Sequence, residues 1–226
     1  MDQVKGRRQL RFPMPRMEGV LARWYARQRG SATQLAAYRD QAAQLADGLP
    51  SDAEVLEVAP GPGYLAIELA RRGVLVSGLD ISGSFVEIAR ENARQAGVRV
   101  DFRQGDAASL PFPAESFDLV VCQAAFKNFA RPASALDEMH RVLRRGGVAV
   151  IHDMRRDASG AEIDQEVERM GLGRLNAFMT KGALTMLRRR AYSPAQLERL
   201  AADSAFRTCD LRTEGVGMEV RLTKPG

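Results

Sequence analysis

The sequence predicts an α/β protein built on a doubly wound, mostly parallel sheet of seven strands. Between residues 54 and 152, short apolar segments alternate with segments of helical period, a pattern typical of a parallel sheet covered by helices. A glycine-rich turn at Gly61–Gly63 joins the first strand to the helix that follows it. Two further β-type segments lie near the C-terminus. Right-handed crossovers place helices on both faces of such a sheet, which gives a Rossmann-like arrangement.

The individual elements are predicted from apolar periodicity and from residues that begin or end helices. Ser193-Pro194 begins a helix with Gln196 at the capping-box position, whereas Gly97 and Gly146-Gly147 are expected to end helices. The predicted helices are 17–47 with a break at Gly30-Ser31, 65–72, 84–96, 134–143, two helices within 161–190, and one that begins after Ser193. The predicted strands are 54–59, 74–79, 98–103, 117–122, 148–152, 206–213 and 218–223.

Length and composition predict one main domain. The 226 residues, 45% of them hydrophobic, are enough for a sizeable core. We expect a helical N-terminal extension or lid over 1–47 and a domain over 48–226, with a helical insertion at about 155–190. The two cysteines, Cys122 and Cys209, are too few for a disulfide framework, so a cytoplasmic setting is expected.

Charge and hydropathy limit the expected partners. The chain has 33 Lys and Arg residues against 28 Asp and Glu residues, a net charge of +5. This excess is modest and is interspersed with acidic residues, so nucleic acid is not an expected partner. No apolar run is long enough to span a bilayer, and we expect a small-molecule substrate and no membrane partner. A monomer or a homodimer is expected.

The glycine-rich turn predicts a ligand site at the end of the first strand. Glycines allow a sharp turn and close approach of the backbone to a ligand. Pro60 and Pro62 each remove an N–H donor, which is a poor way to bind a pyrophosphate. Asp80 ends the second strand and can accept hydrogen bonds from ribose hydroxyls. A dinucleotide and an adenosyl cofactor would both use this carboxylate, so Asp80 alone does not distinguish between them.

Five segments, taken in order, distinguish an adenosyl cofactor from a dinucleotide, because together they resemble the motifs of class I S-adenosylmethionine-dependent methyltransferases. The likeness is greatest to the small-molecule, methyltransferase type 11-like branch. The family usually has a glycine where Ala59 stands. The segments that carry the resemblance are Glu57–Gly63, Gly78–Ser82, Gln104–Ala107 with Leu110–Pro113, Ser116–Cys122 and Ala135–Gly147.

The resemblance implies S-adenosylmethionine as the cofactor and assigns residues to it. Glu57 is expected near the methionine amine, Asp80 at the ribose and Asp106 at the adenine amino group. Ile81 is expected to cover one adenine face. The full set of expected cofactor-binding residues is Glu57, Ala59, Gly61, Gly63, Asp80, Ile81, Gly105, Asp106, Ala107, Gln123 and Ala124.

The residues that act on the acceptor are less specified, because methyl transfer from an activated donor needs mainly alignment and exclusion of water. A base is needed only if the acceptor is protonated. The candidate catalytic residues are His152, Lys127 and Asn128. The candidate substrate-binding residues are Tyr25, Phe126, Lys127, Arg155 and Phe178. No metal site is expected, since the two histidines have no cysteine at ligand spacing.

Three other functions remain open. The first is a methyltransferase directed at RNA or protein, which the run Arg188–Arg190 favours weakly. No appended nucleic-acid module supports it. The second is a dinucleotide oxidoreductase, which has no use for the segment around Asp106. The third is a domain that binds the cofactor without catalysis and regulates a partner.

Overall fold

The predicted α/β fold with a mostly parallel seven-stranded sheet is confirmed by a computed structural model, which describes residues 17–226. Residues 1–16, including the N-terminal part of the expected extension, lie outside the described residues. The strands are β1 (Glu54–Val58), β2 (Leu75–Asp80), β3 (Asp101–Gln104), β4 (Phe117–Gln123), β5 (Leu143–Met154), β6 (Asp210–Glu214) and β7 (Gly217–Thr223). The helices are α1 (Gly19–Arg29), α2 (Ala32–Ala46), α3 (Tyr64–Ala70), α4 (Gly83–Gln95), α5 (Pro132–Val142), α6 (Gly160–Arg169), α7 (Arg174–Arg190) and α8 (Pro194–Asp203), with a short 3₁₀ turn at Phe126–Asn128.

The strand order explains where a ligand site can form. The order across the sheet is β3-β2-β1-β4-β5-β7-β6, and β7 alone runs antiparallel to its two neighbours. The connections reverse direction between β1 and β4, which lie side by side and parallel. At such a reversal the loops leaving the two strands diverge and open a crevice beyond their carboxyl ends. The glycine-rich turn leaves β1 at this point.

Helix starts follow the predicted capping residues. The side chains of Ser31, Ser82, Ser159 and Ser193 each accept a hydrogen bond from a backbone N–H of the first helical turn. Ser193 forms the predicted capping box with Gln196. The predicted break at Gly30-Ser31 is also confirmed, since α1 ends and α2 begins there. These caps satisfy N–H groups that would otherwise lack partners.

Three predicted boundaries were wrong, each because a turn or a strand took residues that the pattern assigned elsewhere. Helix α5 ends at Val142, and β5 begins directly afterwards, so Gly146-Gly147 lies inside a strand instead of ending a helix. Strand β3 begins three residues later than expected, because the N–H of Val98 bonds back to the carbonyl of Ala93 and closes α4. Strand β6 also begins later, since Arg207 has a φ of +66° in a turn.

Two glycines allow the first turn and β2 to pack against the ring of Phe102. A Cβ atom at Gly78 would lie 2.5 Å from Cδ1 of Phe102, and a Cβ atom at Gly63 would lie 2.7 Å from its Cζ. Gly63 also has a φ of +79°, which disfavours other residues. Phe102 is 1% exposed, and a close-packed core leaves its ring little room to move aside. Gly63 therefore serves the packing of α3 against the sheet.

We expect Gly78→Ala to lower the free energy of unfolding by about 1–3 kcal/mol, because the added methyl group overpacks the core against Phe102. Gly160→Ala is the matched control, since a Cβ atom there meets no atom within 4 Å. Its expected change is within about 0.5 kcal/mol. Urea denaturation of both variants measures the difference, and equal effects would contradict the packing argument.

Candidate functional site

A cavity of about 560 Å³ lies at the carboxyl edge of the sheet, where β1, β2 and β4 end. Its walls come from the glycine-rich turn, the residues after β2 and β3, the loop after β4, and helices α1 and α2. Tyr25 and Asn128, two of the residues predicted to meet the acceptor, line it. The predicted cofactor positions that line it are Glu57, Ala59, Gly61, Asp80, Ile81, Gly105, Asp106, Ala107, Gln123 and Ala124. Gly63 is the one member of that predicted set that packs behind the wall.

Asp80 connects the two loops on either side of the end of β2. Its Oδ2 accepts a hydrogen bond from the N–H of Gly61 at 3.0 Å, and its Oδ1 accepts one from the N–H of Ser82 at 2.9 Å. The side chain is buried, and burial raises the pKa of Asp80 against the opposing effect of these bonds. Each carboxylate oxygen keeps a second lone pair. The carboxylate can therefore hold the turn and accept hydrogen bonds from a ligand at the same time.

The backbone of the glycine-rich turn is left-handed at three positions. Ala59, Gly61 and Gly63 have φ values of +59°, +54° and +79°. The methyltransferase family that the sequence resembles usually has glycine at the position of Ala59. The left-handed backbone at this position explains the preference for glycine. The N–H of Ala59 bonds to the carbonyl of Leu79 at 2.8 Å and fixes the turn beside β2. A Cβ atom at Gly61 would meet no atom within 4 Å, so this glycine faces the open cavity.

Glu57 is the most unusual group in the cavity wall. It is 2% exposed, and among the described residues its Oε2 has no hydrogen-bond partner. Burial raises the pKa of Glu57 to about 8, and the nearby charge of Asp80 adds to this effect. Buried polar atoms nearly always have partners. An unpaired carboxyl oxygen at a cavity therefore indicates a ligand that donates a hydrogen bond or carries a positive charge there.

A further part of the wall combines Asp106 after β3, Arg131 before α5 and Ile81 after β2. Asp106 accepts hydrogen bonds from the N–H of Ala108 at 2.9 Å and from Nη2 of Arg131 at 2.9 Å. Arg131 also lines the cavity and is the residue directly before α5. Ile81 lies at the cavity mouth and is 42% exposed. This wall combines a charged pair with an exposed aliphatic side chain.

The loop after β4 contributes a second unpaired polar atom. Asn128 is the last residue of the 3₁₀ turn, and among the described residues its buried Oδ1 has no hydrogen-bond partner. Nearby, the side chain of Gln123 at the end of β4 accepts a hydrogen bond from Nε2 of Gln41 at 2.6 Å. Gln123 is thus held by α2, whereas Asn128 lines the cavity and keeps an acceptor without a partner among the described residues.

Lys127 lies behind the cavity wall in a buried ion pair. It is 6% exposed, and its Nζ contacts Oδ1 of Asp153 at 2.7 Å and donates to the carbonyl of Ala124. The N–H of Lys127 also donates to Oδ2 of Asp153, at 2.9 Å. The pair fixes the loop after β4 to the end of β5. The prediction that Lys127 pairs with a substrate anion has no support in this geometry, because its ammonium group already pairs with the carboxylate of Asp153.

His152 does not line the cavity either. On β5 it pairs in register with Gln123 of β4 and with Glu219 of β7. Its Nε2 lies 2.7 Å from Oε2 of Glu219, and its Nδ1 lies 3.0 Å from Nε2 of Gln41. Both ring nitrogens therefore have partners outside the cavity. This placement argues against the predicted general base.

Three other residues that were predicted to bind the substrate do not line the cavity. Phe126 is fully buried against the ring of Tyr192, with centroids 5.7 Å apart. Arg155 donates to the carbonyl of Gly215 at 2.8 Å and pairs with Glu162, so it joins α6 to the β6–β7 hairpin. Phe178 is 77% exposed on α7, outside the cavity. Their positions in the sequence suggested these side chains without revealing which way each one faces.

Sequence reasoning missed a cationic group at the cavity. The guanidinium carbon of Arg29, at the end of α1, lies 5.8 Å from the ring centroid of Tyr25 and 5.8 Å from that of Tyr38. All three residues line the cavity. Burial raises the pKa of Tyr38 to about 12. The only sequence signal was the four-residue spacing of Tyr25 and Arg29, which places both on one helix face.

Comparison with known proteins finds matches for the central part of the chain. Residues 56–151 match a family described as a methyltransferase domain. The chain is 41% identical over 112 residues to a demethylmenaquinone methyltransferase from Deinococcus radiodurans, covering 49% of this chain and 46% of that protein. It is 40% identical over 101 residues to a ubiquinone/menaquinone biosynthesis C-methyltransferase from Rhizobium meliloti, covering 42% of this chain and 39% of that protein. The chain thus matches less than half the length of these two relatives.

Solved structures share the fold over a longer part of the chain. A protein from Methanococcus maripaludis, provisionally assigned as an S-adenosyl-L-methionine-dependent methyltransferase, has a TM-score of 0.70 at 19% identity, covering 96% of this chain and 97% of that one. A SAM-dependent methyltransferase from Aquifex aeolicus has a TM-score of 0.66 at 16% identity, covering 88% of this chain and 96% of that one. At these identities the likeness shows the fold alone.

We expect the stability of the protein without ligands to fall as pH rises between about 4.5 and about 8, because the folded state holds a proton on Glu57 that the unfolded chain has released. The slope from this one group is at most about 1.4 kcal/mol per pH unit. Glu57→Gln keeps the shape of the side chain and removes the titration. Urea denaturation of both proteins at several pH values gives the comparison, and parallel pH dependences would refute the raised pKa.

Proposed function

We propose that this chain, in which residues 56–151 form a class I S-adenosylmethionine-dependent methyltransferase domain, transfers a methyl group from S-adenosylmethionine to a small-molecule acceptor within the cavity. The observation that carries the proposal is the unpaired carboxyl oxygen of Glu57 beside the turn after β1. The methionine part of the donor has a cationic amine, which supplies the missing partner.

The other donor-binding positions fit the same molecule. Asp80 has lone pairs left for the two ribose hydroxyls. Gly61 leaves open space beside the turn, where a side chain would intrude. Asp106 and Ile81 would meet the adenine. Arg29 adds a positive charge that suits the methionine carboxylate.

When bound, S-adenosylmethionine supplies a methyl group already activated by the sulfonium centre, so the protein has to align and enclose the reactants. Helix α1 contributes to enclosure through Tyr25, whose ring packs edge-on against Phe85 with centroids 5.8 Å apart. The ion pair of Lys127 and Asp153 holds the loop that carries Asn128. His152 is occupied by Glu219 and takes no part in proton transfer at the cavity.

We place an electron-rich ring with hydroxyl groups, such as a hydroquinone, at the acceptor position. The relatives named above are a demethylmenaquinone methyltransferase and a quinone-biosynthesis C-methyltransferase. Carbon methylation by a cationic donor requires an electron-rich carbon, which the reduced ring has. The new carbon–carbon bond would form as the sulfur–methyl bond breaks, and the ring carbon would then lose its proton to solvent, leaving S-adenosylhomocysteine and the methylated hydroquinone. Asn128 would accept a hydrogen bond from a ring hydroxyl through its unpaired Oδ1. This contact orients the ring and leaves donor binding unaffected.

The remaining parts of the proposal concern the setting of the enzyme. Helices α1 and α2 act as the lid expected over 1–47, and the domain runs over 48–226 with α6 and α7 as its insertion. Cys122 and Cys209 are both free thiols, which supports a reducing, cytoplasmic location. The assembly is a monomer or a homodimer. A cavity walled by helices favours a small acceptor over RNA or protein.

We expect calorimetry to show binding of S-adenosylhomocysteine and a loss of about 100-fold or more in affinity for Asp80→Ala, because two charge-assisted hydrogen bonds to the ligand disappear. Asp101→Ala on β3 is the control, since this exposed carboxylate pairs with Arg103 outside the cavity. Thermal melting confirms that both variants fold. Tight binding of NAD without binding of S-adenosylhomocysteine would refute the donor assignment.

We expect Asn128→Ala to lower kcat/KM for demethylmenaquinol by about 10- to 100-fold while S-adenosylhomocysteine affinity stays within about twofold. The reason is that the acceptor loses its orienting hydrogen bond and the donor loses nothing. Asn176→Ala on the exposed side of α7 is the control. If the protein binds S-adenosylhomocysteine but does not methylate demethylmenaquinol, the acceptor class is wrong and the donor assignment stands.

A further inference from the structure

Helix α7 carries an apolar stripe on the side that faces away from the protein. Counted from the first of them, its large apolar side chains follow at the third, fourth and eleventh positions, so they share one helix face. Their exposures are far higher than those of side chains that pack in a core. These residues are Leu175 (73% exposed), Phe178 (77%), Met179 (63%) and Met186 (71%).

The opposite side of α7 makes its contacts with the protein. Ala177, Thr180, Leu184 and Arg188 are half-buried there, and α7 packs against α6. The apolar stripe is therefore additional to the packing face. Contiguous exposed apolar surface of this kind marks an interaction site. The turn before the helix extends the surface with Met170 and Leu172, which are 40% and 39% exposed.

The charge on the stripe's own segment has one sign, whereas α6, which packs against α7, carries Glu162, Asp164, Glu166 and Glu168. The segment 170–190 contains five basic residues and no Asp or Glu. Arg174 and Arg189 are exposed at the two ends of the helix. Lys181 pairs with Asp164 of α6 at 2.5 Å. An apolar face bordered by arginines is typical of helices that lie in the interface of an anionic membrane.

Charge complementarity argues against two other occupants. A second copy related by a two-fold axis would bring one arginine-rich α7 against another, which is repulsive. Residues 1–16 of the same chain have five basic residues and one acidic residue. They would be repelled as well. The occupant therefore has to be both apolar and anionic.

Helix α1 presents a similar surface beside the cavity. Val20, Leu21 and Trp24 are 80%, 53% and 51% exposed, while Tyr25 and Arg29 face the cavity. Like 170–190, α1 contains arginines and no acidic residue. Both helices belong to the carboxyl edge of the sheet: α1 walls the cavity there, and the Arg155–Tyr192 bridge returns the chain after α7 to the end of β5.

We propose that the exposed faces of α7 and α1 bind the surface of an anionic phospholipid bilayer. The stripe is a convex ridge of a 17-residue helix, roughly 25 Å long, and it suits the fluid interfacial region of a bilayer. No helix within residues 17–226 is long and apolar enough to cross a bilayer. The sequence-based expectation of no membrane partner considered only such crossing and is revised here.

The test is co-sedimentation of the full chain with vesicles of phosphatidylglycerol and phosphatidylcholine, with pure phosphatidylcholine vesicles in parallel. We expect binding only to the anionic vesicles and its loss at high salt. Phe178→Ser combined with Met179→Ser should weaken binding by at least about tenfold, and Arg189→Gln by about fivefold. Leu75→Ser is the matched control, because Leu75 is 58% exposed at the start of β2, at the opposite edge of the sheet; binding should be unchanged.

The single tryptophan of the chain reports on α1 independently. Trp24 is half exposed, and its fluorescence should shift to shorter wavelength when anionic vesicles are added. Failure of the unmodified protein to bind anionic vesicles would overturn the proposal. So would dimerisation that the Phe178/Met179 variant abolishes, which would assign the stripe to a second copy. These measurements use no methyl donor or acceptor, so their outcome is separate from that of the proposed transferase activity.

Discussion

The geometry of the cavity depends on one carboxylate, that of Asp80. It accepts hydrogen bonds from the N–H groups of Gly61 and Ser82 and so ties the turn after β1 to the start of α4. Parallel strands deliver both loops to the same edge of the sheet, but the strands alone do not fix the distance between them. The left-handed backbone of Ala59 is tolerated because the turn is held on both sides. This arrangement holds in place the turn that lines the cavity beside Glu57.

Packing supports the same region from below. Phe102 fills the space that two absent side chains leave at Gly63 and Gly78. Behind the other wall, Lys127 and Asp153 form a buried ion pair that holds the loop after β4. Buried pairs of this kind contribute more to geometry than to net stability, since desolvation offsets much of their attraction. On the side of the sheet, the cavity wall is therefore held by buried contacts. On the other side, α1 forms part of the wall.

The fold and most of the residues that line the cavity could be predicted from sequence because they are encoded locally. The turn at Gly61–Gly63, the carboxylate that ends β2 and the serine caps each act within a few residues of where they stand. The direction in which a side chain points on a long strand or loop is set by distant partners instead. His152 contacts Glu219 and Gln41, which lie 67 and 111 residues away in sequence. Lys127 pairs with Asp153, which lies 26 residues away. Arg29 was missed for the same reason, because Tyr38 reaches it from another helix.

The raised pKa of Glu57, about 8, means that an empty cavity holds a proton on this side chain at neutral pH. A cation that takes the place beside Oε2 favours the carboxylate form and displaces that proton. Occupation of the cavity and release of a proton to solvent are then a single thermodynamic event. The affinity for a cationic ligand would consequently rise with pH up to about 8, in the range where the empty protein loses stability. The same buried carboxyl group thus makes the empty fold less stable as the medium becomes alkaline, whereas the filled fold, which has released this proton as the unfolded chain has, keeps its stability over that range.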